Sequence, residues 1–243
     1  MQEIHKLKRF ILKNISEITD LKIIHQIITV LRLKENNEII GLYENKHFLL
    51  KLKEISKNLI KLETIKELEE NNELNFYLKV YIPLLKNDKT EFILQKCTEL
   101  GVKEFQPVLF ERNIKQNINY TRWQKIIEEA VEQSERSFIP IISQAIHCQD
   151  IKIQQDETAI ILLERIHPRL TPSPERGTQF FVSPLSGGWG SEISIISGPE
   201  GGFTEKEKEI LLKNFKPMSL GSRVLRAETA MIAGVSILGF YLS

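Results

Sequence analysis

Apolar and polar positions change texture twice along the chain. Between Glu38 and Leu68, "EIIGLYE", "HFLLKLKEI" and "LIKLETIKEL" follow one another, with polar breaks at Asn45–Lys46 and Lys57–Asn58. Short apolar runs bounded by turn residues predict consecutive strands. Ahead of them, "KIIHQIITVLRL" (residues 22–33) predicts a short apolar helix. Residues 1–70 therefore read as a small β-rich domain. "ELEENNEL" (residues 67–74), an acidic run with two Asn, is the expected linker.

Beyond it the period alternates. "NFYLKVYIPL" and "EFQPVLF" predict strands, and "DKTEFILQKCTEL" and "YTRWQKIIEEAVEQSER" predict helices. Asp88 with Glu91, and Thr121 with Gln124, have capping-box spacing, and Gly101 stands where a helix stop is expected. Trp123, Ile126, Ile127, Ala130 and Val131 share one helical face. "IPIISQAI", "TAIILLE" and "EISIIS" are nearly continuous apolar runs, which suit strands covered on both faces. Strand–helix alternation predicts an α/β domain with a mainly parallel sheet over residues 74–243. It closes with the helix "AETAMIAGVSILGFYL", whose Ala230, Ala233 and Gly234 permit close packing on another element or another subunit. Residues 167–191 break the texture: they lack Lys but hold four of the nine Pro and four of the twelve Gly. That composition reads as a loop, either a lid or, in preference, a tolerated surface insertion.

Composition adds two things. The 243 residues, 42% hydrophobic and 27% charged, are ordinary for a globular chain of one or two domains. The net charge of +1 hides an asymmetry: residues 1–66 carry 11 Lys and 2 Arg against 8 acidic residues, net +5, leaving −4 for the rest. A basic module on an acidic body suits a polyanionic partner; uneven surface decoration explains it equally well. Cys97 and Cys148 are the only cysteines and form no CxxC pair. No disulfide framework and no metal site is therefore expected. Neither a signal-like segment nor a membrane-length apolar run is visible, so the expected location is cytoplasmic, away from the membrane.

Two segments carry candidate chemistry. "ISGPEGGFTEKE" (residues 196–207) joins an apolar strand to a polar helix, with Thr204 and Glu207 at capping-box spacing. Its glycines permit a ligand to approach backbone. It lacks GxxxxGK and GxGxxG, and Glu200 would repel a phosphate. On its own terms it is either a plain turn or a cradle for a ligand that is uncharged or positive. "SLGSRVLRAETA" (residues 219–230) sets Arg223 and Arg226 around apolar Val224–Leu225. Those arginines suit RNA phosphate or a carboxylate, or a surface ion pair with Glu228.

Taken together, "GPEGGFTEKE" and "LGSRVLRAETA" resemble the RsmE-type methyltransferases of 16S ribosomal RNA, in the SPOUT class. "HQIITVLRLK", "EFILQKCTELGV", "ERN", "RWQKIIEEAVEQSER" and Arg9–Phe10 stand in that family's order, so the resemblance covers most of the chain apart from residues 167–191. It implies a PUA-like β-barrel domain for RNA binding, then a trefoil-knotted α/β domain. It also implies a homodimer, S-adenosyl-L-methionine as cofactor, and methylation of uridine N3 in 16S rRNA within the 30S subunit. Gly198, Pro199, Glu200, Gly201 and Gly202 would form one wall of the cofactor pocket. Leu163 and Glu164 would form a second wall, and Leu220, Gly221, Val224 and Leu225 a third, with Thr229 touching the cofactor or starting the helix. Arg9 and Arg226 would hold RNA phosphate or the developing uridine anion, because Arg stays charged and donates two hydrogen bonds together. Lys6, Lys8 and Arg32 would add sequence-independent phosphate attraction.

Some positions depart from the family pattern. Ala227 stands for a common Thr, Glu135 for a frequent Gly, and Asn36–Asn37 for a Gly-Asp turn. No general base is identified. Three other readings compete: a ribose 2′-oxygen methyltransferase, disfavoured by "SLGSRVLR" where that group carries "SLN"; a non-catalytic RNA-binding scaffold; and a nucleotide hydrolase, disfavoured by the missing phosphate motif.

Overall fold

The computed structural model describes residues 6–69, 72–86, 88–113, 117–164 and 191–242. The chain forms two compact units, Met1–Glu73 with Val131–Ile139, and Leu74–Ala130 with Pro140–Ser243. The expected insertion at 167–191 lies outside the described residues, save Ser191.

The first unit holds strands β1 (Arg9–Ile11) and β2 (Glu17–Ile18) and helix α1 (Leu21–His25), which runs on as a wide π turn, Gln26–Val30. Strands β3 (Glu38–Tyr43), β4 (Lys46–Ile55) and β5 (Ile60–Leu68) follow. The sheet order is β1-β3-β4-β5-β2, antiparallel except for the β1–β3 pair. Alternation puts Phe10, Ile39, Leu50, Leu52 and Ile60 into one core with Ile24 and Ile27. Glu44 and Asn45, at φ 49° and 60°, make the two-residue β3–β4 turn. Positive φ at both central residues is what a strand-matched hairpin turn requires. Asp20 caps α1, accepting from the N–H groups of Lys22 and Ile23. The expected linker begins late, because Glu67 and Leu68 complete β5 and pair with Phe48 and His47.

The second unit alternates as the sequence predicts: β6 (Tyr77–Pro83), α2 (Lys89–Glu99), β7 (Glu104–Leu109), α3 (Tyr120–Ser134), β8 (Ile141–Ile142) and β9 (Ile146–His147). Then come β10 (Glu157–Leu162), β11 (Glu192–Ile196), α4 (Glu205–Leu211), β12 (Lys216–Met218) and α5 (Ala227–Leu242). The order is β12-β10-β11-β6-β7-β8, with β9 also on β7, and every pairing is parallel. The single strand expected over "IPIISQAI" is two short ones. The helix starts also differ from expectation. Asp88 makes no side-chain cap bond, and Glu91 instead binds Arg122 Nε at 2.7 Å, joining α2 to α3. α3 starts two residues earlier than its Thr121–Gln124 box implies. Asn119 Oδ1 accepts from Arg122 N–H at 3.0 Å, while Gln124 binds Glu128. Of the small residues of α5, Gly234 serves the sheet. A Cβ on Gly234 would stand 2.7 Å from Ile195 Cδ1 and 3.0 Å from Leu162 Cδ1. Among the described residues, no helix is long and apolar enough to cross a membrane.

Val131–Ile139 clusters with the first unit. α3 stops at Glu135, whose φ is 60°, and Arg136 N–H reaches back to the Val131 carbonyl at 3.2 Å. That left-handed stop is a glycine position; a side chain there costs about 1 kcal/mol. Glu135 Oε1 holds Arg9 Nη1 at 2.8 Å. Behind it, buried Arg136 donates through Nε (3.1 Å) and Nη2 (2.6 Å) to the two oxygens of Glu73. Glu73 also accepts from the N–H groups of Ser137 and Phe138. A carboxylate with that many donors is the satisfied form of a buried ion pair.

Candidate cofactor and RNA site

Strands β12, β10 and β11 are neighbours, and their carboxyl ends lie level: Leu162 pairs with Met218, and Ile161 with Ile196. Leu163 N–H continues the ladder to the Met218 carbonyl at 3.0 Å. The three segments nominated from sequence leave from these three ends. Leu163–Glu164 follows β10, Ser197–Gly202 follows β11, and Ser219–Arg226 follows β12. Open parallel sheets bind ligands just there, beyond the carboxyl ends of their strands.

The glycine loop is fixed from below and from the side. Phe203 is buried beneath it, edge-on to Phe110 at 5.4 Å. Gly202 N–H closes a turn onto the Pro199 carbonyl at 2.8 Å. Arg112 Nη1 donates to the Gly201 carbonyl at 2.8 Å. The predicted capping box forms: Thr204 Oγ1 accepts from Glu207 N–H, and Glu207 accepts from Thr204 N–H at 2.8 Å. Glu207 is buried, and its other oxygen accepts from Glu111 N–H at 2.8 Å. Gly202 and Gly221 take φ of 68° and 110°, and a Cβ on either would meet nothing within 4 Å. Both loops thus present bare backbone to open space, as close approach of a ligand requires.

The charge of Glu200 is answered from α2. Lys89 Nζ binds Glu200 Oε1 and lies 3.8 Å from Glu228 Oε1, in the first turn of α5. The Glu200 hydrogen bond foremost, and Glu228 with it, raise the Lys89 pKa. One ammonium therefore serves two carboxylates. Glu228 Oε2 and Ser197 Oγ are buried without a protein partner. Buried polar atoms normally find one, and a ligand carrying donors would supply it. A cation or an N–H-rich ligand suits this set, and backbone at Gly202 and Gly221 leaves it room. The residues present thus fit S-adenosylmethionine.

Of the other nominated residues, Leu163, Gly198, Leu220, Gly221 and Leu225 are half-buried and Pro199 is buried. Glu164, Val224, Arg226 and Thr229 are exposed, as is Arg223. Arg9 belongs to the first unit; its side chain is 4% exposed and joined to Glu135. Lys6, Lys8 and Arg32 are exposed in that unit, with Arg32 at φ 53°. Sequence reading missed Lys89, Arg112, Ser197 and the reach of Glu207. Arg112 lies within the "ERN" segment, which only its place in the motif order had marked. Nothing local marks Lys89, because its partners are distant in sequence.

A profile described as "RNA methyltransferase domain" matches residues 72–239. The chain is 35% identical over 217 residues to the "Ribosomal RNA small subunit methyltransferase E" of Rickettsia conorii, spanning 88% of this chain and 84% of that protein. It is 33% identical over 234 residues to the protein of the same name from Bacillus subtilis, spanning 89% and 87%. The fold is similar to the crystal structure of "a Ribosomal RNA small subunit methyltransferase E from Neisseria gonorrhoeae bound to S-adenosyl methionine". That likeness has a TM-score of 0.81 at 28% identity and covers 96% and 97% of the two chains. A putative methyltransferase of Legionella pneumophila, in complex with the same cofactor, is similar at TM-score 0.77 and 25% identity, covering 96% and 97%.

Proposed function

This chain belongs to the family of ribosomal RNA small subunit methyltransferase E, and we propose that it methylates uridine N3 of 16S rRNA in the 30S subunit. One observation carries the reading: three loops leave the level ends of adjacent parallel strands, and in two of them Gly202 and Gly221 take positive φ with open space on their Cβ side. S-adenosylmethionine, when bound, supplies an activated methyl group on a sulfonium. The chain's own part is to bind, orient and stabilise. Gly198–Gly202, Leu163–Glu164 and Leu220–Leu225 form the cofactor walls, and Ser197 gives its free hydroxyl to them. Positioning and preorganised charge supply most of the rate.

Arg226, exposed just ahead of α5, is the cation for the uridine anion or a flanking phosphate. Arg9, committed to Glu135, acts as a positioning residue that holds β1 against the end of α3. Exposed Lys8 and Arg32 with Lys6 attract the rRNA backbone. The first unit is the PUA-like module, for which its mixed five-stranded sheet and the excess of Lys and Arg over residues 1–66 speak. The second unit carries the trefoil knot. In its favour, the chain crosses from β11 over β10 to β12 before α5 returns onto β10 and β11. The enzyme works as a homodimer.

The test is labelled-methyl transfer to 30S particles that lack the modification, followed by nucleoside analysis. N3-methyluridine is expected. A ribose-methylated product, or no transfer, would overturn this reading.

A further inference from the structure

We propose that Glu228 is the proton acceptor of this reaction, an inference that rests on the methyltransferase reading above. Glu228 is the second residue of α5, and its side chain is 12% exposed. Its Oε1 lies 3.8 Å from Lys89 Nζ, while Lys89 is held closely by Glu200. Its Oε2 is buried and has no partner. A carboxylate oxygen kept from water without a donor is a destabilising arrangement. A ligand N–H directed at Oε2 relieves it, and the uridine imide N–H is such a donor.

The charges around the group are mixed. Lys89 faces it from α2, Glu200 lies across that ammonium, and Arg226 precedes it by two residues and acts on Lys89 electrostatically. Lys89, Glu200 and Glu228 sum to one negative charge. That charge balances a sulfonium before transfer. After transfer the sulfur is neutral, and a protonated Glu228 keeps the balance. In the step, the bond from N3 to the methyl carbon forms and the carbon–sulfur bond breaks with its electron pair on sulfur. The N3 proton passes to Oε2. Arg226 holds the charge on the uridine carbonyls while this happens.

The experiment compares the full-length wild type with Glu228→Gln on 30S particles, and measures cofactor affinity calorimetrically on the protein alone. The expected variant binds S-adenosylmethionine about tenfold more weakly, because one balancing charge is gone, and transfers methyl at saturating cofactor about a hundredfold or more slowly, the usual range for a general base. Its rate climbs with pH as the imide ionises unaided, more steeply than the wild-type rate does. Glu228→Asp, which retains the base on a shorter arm, recovers part of the rate. Unchanged transfer in Glu228→Gln overturns the proposal. So does an equal loss of cofactor affinity, which would make Glu228 a cofactor contact. If the wild type itself transfers nothing, the methyltransferase reading fails first and the proposal falls with it.

Discussion

Glu200 stands in the middle of the glycine loop proposed above as a cofactor wall, and its charge is answered by Lys89. Lys89 thereby ties the glycine loop to the start of α5. Replacing it with Met would leave Glu200 and Glu228 as neighbouring negative charges with no cation between them. Lys89→Met should weaken S-adenosylmethionine binding by about tenfold, read by calorimetry, because the loop loses a charge-assisted hydrogen bond. An unchanged dissociation constant would remove Lys89 from the site. The sign of its pH dependence is fixed: the folded pKa is raised above the ordinary 10.5. On the lysine side the clamp is therefore complete below that value and is lost as pH rises through the raised one. A variant difference that vanished between pH 6 and 8 would contradict this. Glu135 shows another residue-scale compromise: a left-handed backbone that favours glycine is kept with a side chain whose carboxylate holds Arg9.

At the scale of elements, α5 shows two opposed effects at one position. Gly234 weakens the helix by about 1 kcal/mol relative to Ala. Yet a Cβ there would press Ile195 at 2.7 Å and Leu162 at 3.0 Å, and overpacking a filled site costs about 1–3 kcal/mol. Both neighbours offer flexible side-chain ends, so one methyl can be partly absorbed. Gly234→Ala should come out within about 1 kcal/mol of neutral, whereas Gly234→Val adds two methyls and a stiff side chain and should cost about 3 kcal/mol. Urea unfolding checks both, and a neutral Val variant would show that α5 is not seated on β10 and β11. Elements of this kind were largely readable beforehand, because period and apolar runs are local properties. The parallel strands, the closing helix and the Thr204–Glu207 box follow directly from sequence. Asp88 and Thr121 did not cap as their spacing suggests. Glu91 found Arg122, and Asn119 capped α3 two residues earlier by accepting from Arg122 N–H. The pairing of Lys89 with Glu200 joins residues more than a hundred positions apart, which no local pattern encodes.

For the whole molecule, the surface of α5 bears on how many copies act together. The helix is apolar almost all round, and such a helix is normally buried on every side. One side lies on the sheet. α2 runs parallel beside it, with Lys89 opposite Glu228 and Leu100 opposite Gly239. Among the described residues, three aromatic side chains of these two helices stay exposed: Phe240 at 80% and Tyr241 at 51%, edge-on to each other at 5.4 Å, and Phe92 on α2 at 47%. Aromatic side chains left in water on a helix otherwise packed are candidates for an interface core. In the proposed homodimer this end of α5 meets the partner. Phe240→Asp places a charge in that contact and should weaken dimerisation by about 2–4 kcal/mol, thirtyfold or more in the dissociation constant. It should do so while the thermal transition of the second unit shifts little, since Phe240 supports no core. Sedimentation velocity across a concentration series reads the outcome directly. A wild type that stays monomeric, or a variant that dimerises as tightly as wild type, would place the working interface elsewhere or remove it.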